Sequence, residues 1–198
     1  MNCKHLENIM TTPIGISNPL ATTNLVVIMG VSGSGKSSIA KALATHYGYT
    51  FLDADDFHSA DALARMASGL PLTDEMRYPW VARICDHLQT AATRCEHSVL
   101  AFSGLRQAHR DMLRAAGLKT VFLFLHSDKG VIQQRIERRT GHFMAPKLLD
   151  SQFATLETPA LENDVFKIDV SPPLDILISE SINIVDEHLL SEAPAACC

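Results

Sequence analysis

The sequence predicts an α/β domain built on a five-stranded parallel sheet flanked by helices, and three observations predict it. Short, wholly apolar runs recur along the chain, first at Leu25-Val26-Val27-Ile28-Met29, and such a run marks a strand covered on both faces. Between the runs lie stretches whose apolar residues repeat at helical spacing. Alternation of the two kinds calls for parallel pairing through right-handed crossovers. The 198 residues, 46% hydrophobic and 20% charged, suit one globular domain of this kind.

Taken in order, residues 1–24, with Thr11, Thr12, Pro13 and Gly15, read as a flexible leader before the first strand. A glycine-rich turn follows that strand. Ser37 to Tyr47 then reads as a helix, with Ile39, Leu43 and Tyr47 on one face and Gly48 as its stop. Phe51-Leu52-Asp53 reads as the end of a second strand, and Asp61–Ser68 and Arg77–Thr93 read as helices separated by Gly69 and Pro71. Further strands are expected at Val99–Phe102, Thr120–Leu125 and Val165–Val170, and further helices at Gln107–Ala116, Asp128–Arg139, Lys147–Leu156 and Leu174–Leu189. The domain is expected over 25–190, with a mobile lid at about 139–147 and a frayed tail over 191–198.

The turn after the first strand carries the strongest chemical signal. Gly30-Val31-Ser32-Gly33-Ser34-Gly35-Lys36-Ser37 matches G-x-x-x-x-G-K-[ST]. Its glycines let successive backbone N–H groups turn toward phosphate oxygens, and the following helix adds its positive end. Lys36 reaches the β- and γ-phosphates and the Ser37 hydroxyl reaches Mg²⁺. Nucleotide contacts are therefore expected from Gly30, Ser32, Gly33, Ser34, Gly35, Lys36, Ser37 and Ser38, with ATP and Mg²⁺ as cofactors. A dinucleotide loop starting at Gly33 would need glycine where Ser38 stands. Neither D-x-x-G nor N-K-x-D occurs, which disfavours a GTPase switch, and Val99–Ser103 lacks the terminal Asp of a motor ATPase strand. A compact phosphotransferase remains.

Asp53-Ala54-Asp55-Asp56-Phe57-His58 follows the second strand, at the carboxyl edge where open α/β sheets collect ligands. Read as an extended segment, it sends Asp53 and Asp55 to the same side. One carboxylate near the metal and one accepting a hydroxyl proton is the division that phosphoryl transfer to an alcohol requires. Arg135 and Arg139 are four apart on one helix face, just before Thr140–Met144. There they can neutralise the phosphoryl group in transit as a lid closes.

The formal charge is −5, from 17 basic and 22 acidic residues, which argues against nucleic acid or an anionic membrane as partner. The balance is uneven: residues 1–147 hold 16 basic and 12 acidic side chains, residues 148–198 one and ten. Five cysteines without a C-x-x-C pair suit a reducing cytoplasm, and no apolar run is long enough to span a bilayer.

Together these pieces resemble the gluconate kinases, small P-loop sugar-acid kinases related in fold to shikimate kinase. The resemblance runs from about Leu25 to Leu174. It rests on MGVSGSGKS at Met29–Ser37, D-x-D-x-x-H at Asp53–His58, R-M-A-S-G-x-P-L-x-D at Arg65–Asp74 and R-x-P-W at Arg77–Trp80. It continues through S-x-L-R at Ser103–Arg106, R-D-x-L-R at Arg110–Arg114, G-H-F-M at Gly141–Met144 and S-Q-F-x-x-L-E-x-P at Ser151–Pro159. It implies ATP-dependent phosphorylation of D-gluconate at the 6-hydroxyl and a homodimer. Site roles follow from it: Lys36 and Ser37 on phosphate and metal, Asp55 as base or hydroxyl-orienting residue, Asp53 on a metal-bound water, and Arg135, Arg139 and His142 on the lid side. His58, Arg65, Arg77 and Arg106 become candidates for the acceptor's carboxylate and hydroxyls. Ala62 stands where the family has Asn, and Arg65 and Arg106 stand where it has Lys. Because of Ala62, a kinase for a related sugar acid or another small hydroxy-acid remains an alternative; a non-catalytic nucleotide-binding module is the other.

Overall fold

The computed structural model describes residues 23–137 and 146–191. Its five strands are β1 (Asn24–Met29), β2 (Thr50–Asp53), β3 (Ser98–Phe102), β4 (Lys119–His126) and β5 (Val165–Asp169), all parallel in the order β2-β3-β1-β4-β5. The helices are α1 (Lys36–Tyr47), α2 (Ala60–Ala67), α3 (Asp74–Ala92), α4 (Gln107–Ala115), α5 (Lys129–Glu137), α6 (Pro146–Thr155) and α7 (Leu174–Val185).

The unbroken apolar strands resolve into two faces. From β1, Val26 and Ile28 join Ile39 and Leu43 of α1 and Leu177 and Val185 of α7 in one core. Leu25, Val27 and Met29 enter the opposite core, with Trp80, Ile84 and Leu88 of α3 and Leu113 of α4. Alternate side chains of one strand thus serve two layers, which is why no polar residue breaks the run. Both layers bring the carboxyl ends of β1, β2 and β3 to one edge, where the glycine-rich turn emerges and Gly30 N–H donates to Ser103 O at 3.1 Å.

Three boundaries depart from the sequence reading. The domain begins before residue 25: Thr23 is buried and its carbonyl accepts from Lys119 N–H, while Asn24 pairs within β1. Polar residues hid this, because their contribution is backbone pairing. Helix α3 begins at Asp74, three residues early, with Asp74 and Glu75 in its first turn where the helix dipole favours acids. It runs through Pro79, leaving one carbonyl without its intrahelical donor. The segment after β2 is not extended: Ala54–Phe57 forms a 3₁₀ turn, because the Asp53 carboxylate accepts from Asp55 N–H at 3.2 Å and pulls the chain round.

Three histidines tie the fold to pH. His97 Nδ1 accepts from Asn24 N–H at 2.9 Å and its ring stacks on Tyr49. Burial lowers the pKa of His97, and burial is the largest cause lowering those of His58, where the Asp55 carboxylate opposes it, and His109, where Arg77 adds to it. The unfolded chain takes up these protons first, near pH 6.5, so their contribution is complete above that pH and lost as pH falls through the folded values. Melting temperature is therefore expected to hold from pH 8 to 7 and decline below about 6.5, a trend read directly by thermal melts across that range.

Candidate active site

A cavity of ≈ 410 Å³ opens at the sheet edge, walled by Ser32, Gly33, Gly35, Lys36, Ser37 and Ser38 of the loop and helix start, with Asp53, Asp55, Ser103, Arg135 and Gln152. Gly33 has φ +82°, and a Cβ there would stand 2.5 Å from Ile136 Cγ1, so α5 can pack onto the loop only against glycine. Lys36 Nζ donates to Val31 O at 2.9 Å, which folds the lysine back over its own loop. Two expected nucleotide contacts lie behind the wall. Gly30 packs so that a Cβ would meet Leu125 O at 2.5 Å, and Ser34 is fully buried with no partner for its hydroxyl among the described residues. Both shape the loop from beneath.

The Ser37 hydroxyl donates to Asp53 Oδ2 at 3.2 Å. These oxygens fit a magnesium ion, which takes hard oxygen ligands, commonly one or two carboxylates completed by water and substrate phosphate. Among the described residues no group of three or more His, Cys, Asp or Glu forms a protein-only cage, and a nucleotide-borne cation needs none.

Asp55 lines this cavity and also a second one of ≈ 100 Å³, with His58, Met66, Pro71, Arg77, Trp80, Ser103 and Gln152 among its walls. Helix α3 sets that geometry. Trp80 Nε1 donates to Ala54 O at 2.7 Å, its ring stacks on His58 with centroids 4.3 Å apart, and Arg83 Nε donates to Phe57 O at 3.0 Å. The 3₁₀ turn that carries Asp55 is thus pinned at both ends. Protein walls and the Asp53 carboxylate push the Asp55 pKa upward, against the pull of Lys36 and His58. Its side chain nonetheless remains 82% exposed to the cleft: the wall desolvates it while the mouth stays open. His58, 3.7 Å away through Nε2, is held neutral by burial.

The remaining candidates divide. Arg77 lines the second cavity and pairs with Asp74 at 3.1 Å. Arg65 and Arg106 line neither cavity: Arg65 Nε is bound to Pro71 O at 2.7 Å, and Arg106 pairs with Asp74 and Glu157 at 3.1 and 3.4 Å. In this structure their guanidiniums brace the chain beside the pocket. Arg135 reaches the nucleotide cavity while an Nη2–H donates to Val170 O. Arg139 and His142 lie outside the described residues. Ala62 is buried at the start of α2 and contributes to neither cavity wall.

Sequence reasoning missed three residues here. Ser103 and Gln152 line both cavities, and Arg83 completes the clamp on the turn. The spacing of Arg77, Trp80 and Arg83 on one stripe of α3 was the available signal.

A phosphate loop facing a carboxylate that borders a second pocket defines a P-loop phosphotransferase. Residues 25–159 match a family model described as an AAA domain. The thermoresistant gluconokinase of Escherichia coli K12 is 36% identical over 171 residues, covering 84% of this chain and 98% of that protein. A gluconokinase of Arabidopsis thaliana is 36% identical over 181 residues, covering 85% and 95%. A solved gluconokinase structure from Sinorhizobium meliloti 1021 superposes with a TM-score of 0.77 at 37% identity, covering 87% of this chain and 99% of the other. The chain belongs to the gluconokinase family.

Proposed function

We propose that this protein transfers the γ-phosphoryl group of ATP to the 6-hydroxyl of D-gluconate, giving 6-phospho-D-gluconate and ADP. The observation that carries the reading is Asp55, which stands in the walls of both the phosphate-loop cavity and the adjoining pocket. An alcohol seated in the second pocket places its hydroxyl between Asp55 and the nucleotide.

Asp55 accepts the hydroxyl proton as the new O–P bond forms and the bond from phosphorus to the β,γ-bridging oxygen breaks. The electron pair leaves with ADP. Lys36 turns from Val31 O to the β- and γ-phosphates, and Arg135 offers charge from α5 in the same cavity wall. Ser37 and Asp53 would hold Mg²⁺, which supplies charge neutralisation along the phosphates when bound. On the acceptor side, Arg77 suits the gluconate carboxylate, and His58 and Ser103 suit its hydroxyls. We assign Arg139 and His142 to lid closure over the same site, and a cytoplasmic homodimer as the working form.

Ala62 bears on substrate choice. Its side chain is buried under α2 and away from both cavities, which supports gluconate itself over a related sugar acid. Purified protein is expected to form ADP with gluconate at a kcat/KM at least tenfold above that with galactonate, gulonate or shikimate. A higher value with any of these, or no turnover of gluconate, would overturn the reading.

A further inference from the structure

Gln152 sits where no role was expected. It lies on α6, the helix that follows the segment read as the lid, and its Oε1 accepts from Ser32 N–H at 2.7 Å. The backbone N–H can only donate, so the carboxamide oxygen must face it, and the orientation of the amide is settled. Its two N–H donors therefore lie on the other branch of the carboxamide. Three residues border both cavities, Asp55, Ser103 and Gln152. Asp55 brings a base and Ser103 a small hydroxyl; Gln152 alone of the three brings an amide donor pair. Two contacts anchor the helix that carries it. Leu149 is buried in the α1-side core, and Lys129 of α5 pairs with Asp150 at 2.7 Å.

We propose that Gln152 is a further catalytic residue of the transfer, with Oε1 fixing the phosphate loop through Ser32 and Nε2 donating to the phosphoryl group as it crosses between the cavities. A donor prepositioned at the point where charge is shared acts on the transition state more than on either bound substrate. The proposal rests on the phosphotransferase reading given above. It also gives the helix after the lid a direct hand on the loop, so that acceptor seated against Ser151 and Leu148 and nucleotide seated on the loop meet at one side chain.

Two variants separate the two ends of the carboxamide. Gln152→Ala removes both, whereas Gln152→Glu keeps an acceptor for Ser32 N–H and replaces the donor with negative charge. Steady-state kinetics with ATP and gluconate are expected to show kcat lowered about 10- to 100-fold in Gln152→Ala with both KM values within about threefold. Gln152→Glu is expected to be slower still, and thermal melts of both variants to stay near the parent's. A Gln152→Ala enzyme within threefold of the parent kcat overturns the proposal. So does Gln152→Glu recovering the activity that Gln152→Ala loses, because bracing Ser32 would then suffice. Parent protein inert with gluconate strikes the functional reading instead; the same pair is then compared with whichever acceptor the parent turns over.

Discussion

Asp55→Asn is expected to lower kcat for gluconate by about 10²- to 10⁴-fold, the usual contribution of a positioned general base, while ATP affinity changes little. The division follows from geometry. In the proposed mechanism the phosphate contacts come from the loop and from α1 and the hydroxyl proton goes to Asp55, which lines both cavities and adds only a wall to the first. Asparagine preserves shape and the 3₁₀ turn, because the turn is held by the Asp53 carboxylate, Trp80 and Arg83 and not by the Asp55 side chain. Stability should not fall. Desolvation and Asp53 raise the Asp55 pKa in the fold, so holding the charge there opposes folding, and a neutral amide removes that opposition. Rapid-mix kinetics, nucleotide titration and a thermal melt on one preparation test all three statements. A variant that keeps more than a tenth of parental kcat removes Asp55 from the role of base. The same upward pKa places the acid limb of the pH–rate profile above the ordinary aspartate range.

What the sequence disclosed and what it withheld divide along a physical line. Buried strands and the phosphate loop were legible because each depends on local rules: continuous apolarity for a strand between two layers, and a fixed glycine spacing for a loop that must wrap an anion. The acceptor pocket was less so. The Asp53–His58 segment reads as extended, yet a single side-chain acceptance by Asp53 turns it into a helical turn, and both carboxylates still reach the site by another path. Arg65 and Arg106 are legible as charge near a pocket, whereas the carbonyl or carboxylate that each meets in this structure lies from six to 51 residues away. Gln152 was invisible for the opposite reason: an uncharged side chain gains its meaning from Ser32, 120 residues earlier.

The uneven charge of the chain leads to the second large effect. Arg106, Arg110 and Arg114 recur every four residues from the start of α4 and so form one stripe. They meet Glu157, Glu162 and Asp164 from the acidic last quarter. Glu157 accepts from Gln107 N–H at 2.7 Å, capping α4. Arg110 is the centre, 1% exposed, bonded to both Glu162 oxygens at 2.9 and 2.5 Å, to Gly104 O at 2.6 Å and to Glu157 O at 3.2 Å.

Arg110→Met is expected to destabilise the protein by about 3–5 kcal/mol, the cost of leaving a buried ionic partner uncompensated. For a chain of this size that lowers the melting temperature by about 6–20 °C. Methionine fills the space, so the loss isolates the polar network: Glu162 keeps Arg114 alone among the described residues, and the Gly104 and Glu157 carbonyls lose a donor in the interior. Arg110→Lys should fall between the two, because an ammonium with three donors cannot serve the four acceptor oxygens placed around the guanidinium. Added salt should leave the difference nearly unchanged, since buried pairs are poorly screened. Arg110 also anchors the turn after Ser103, a residue in both cavity walls, so below its melting point Arg110→Met should raise the KM for gluconate more than that for ATP. Denaturant melts of the parent and both variants decide the matter: a loss under about 1 kcal/mol for Arg110→Met would mean that the stripe contributes by packing alone.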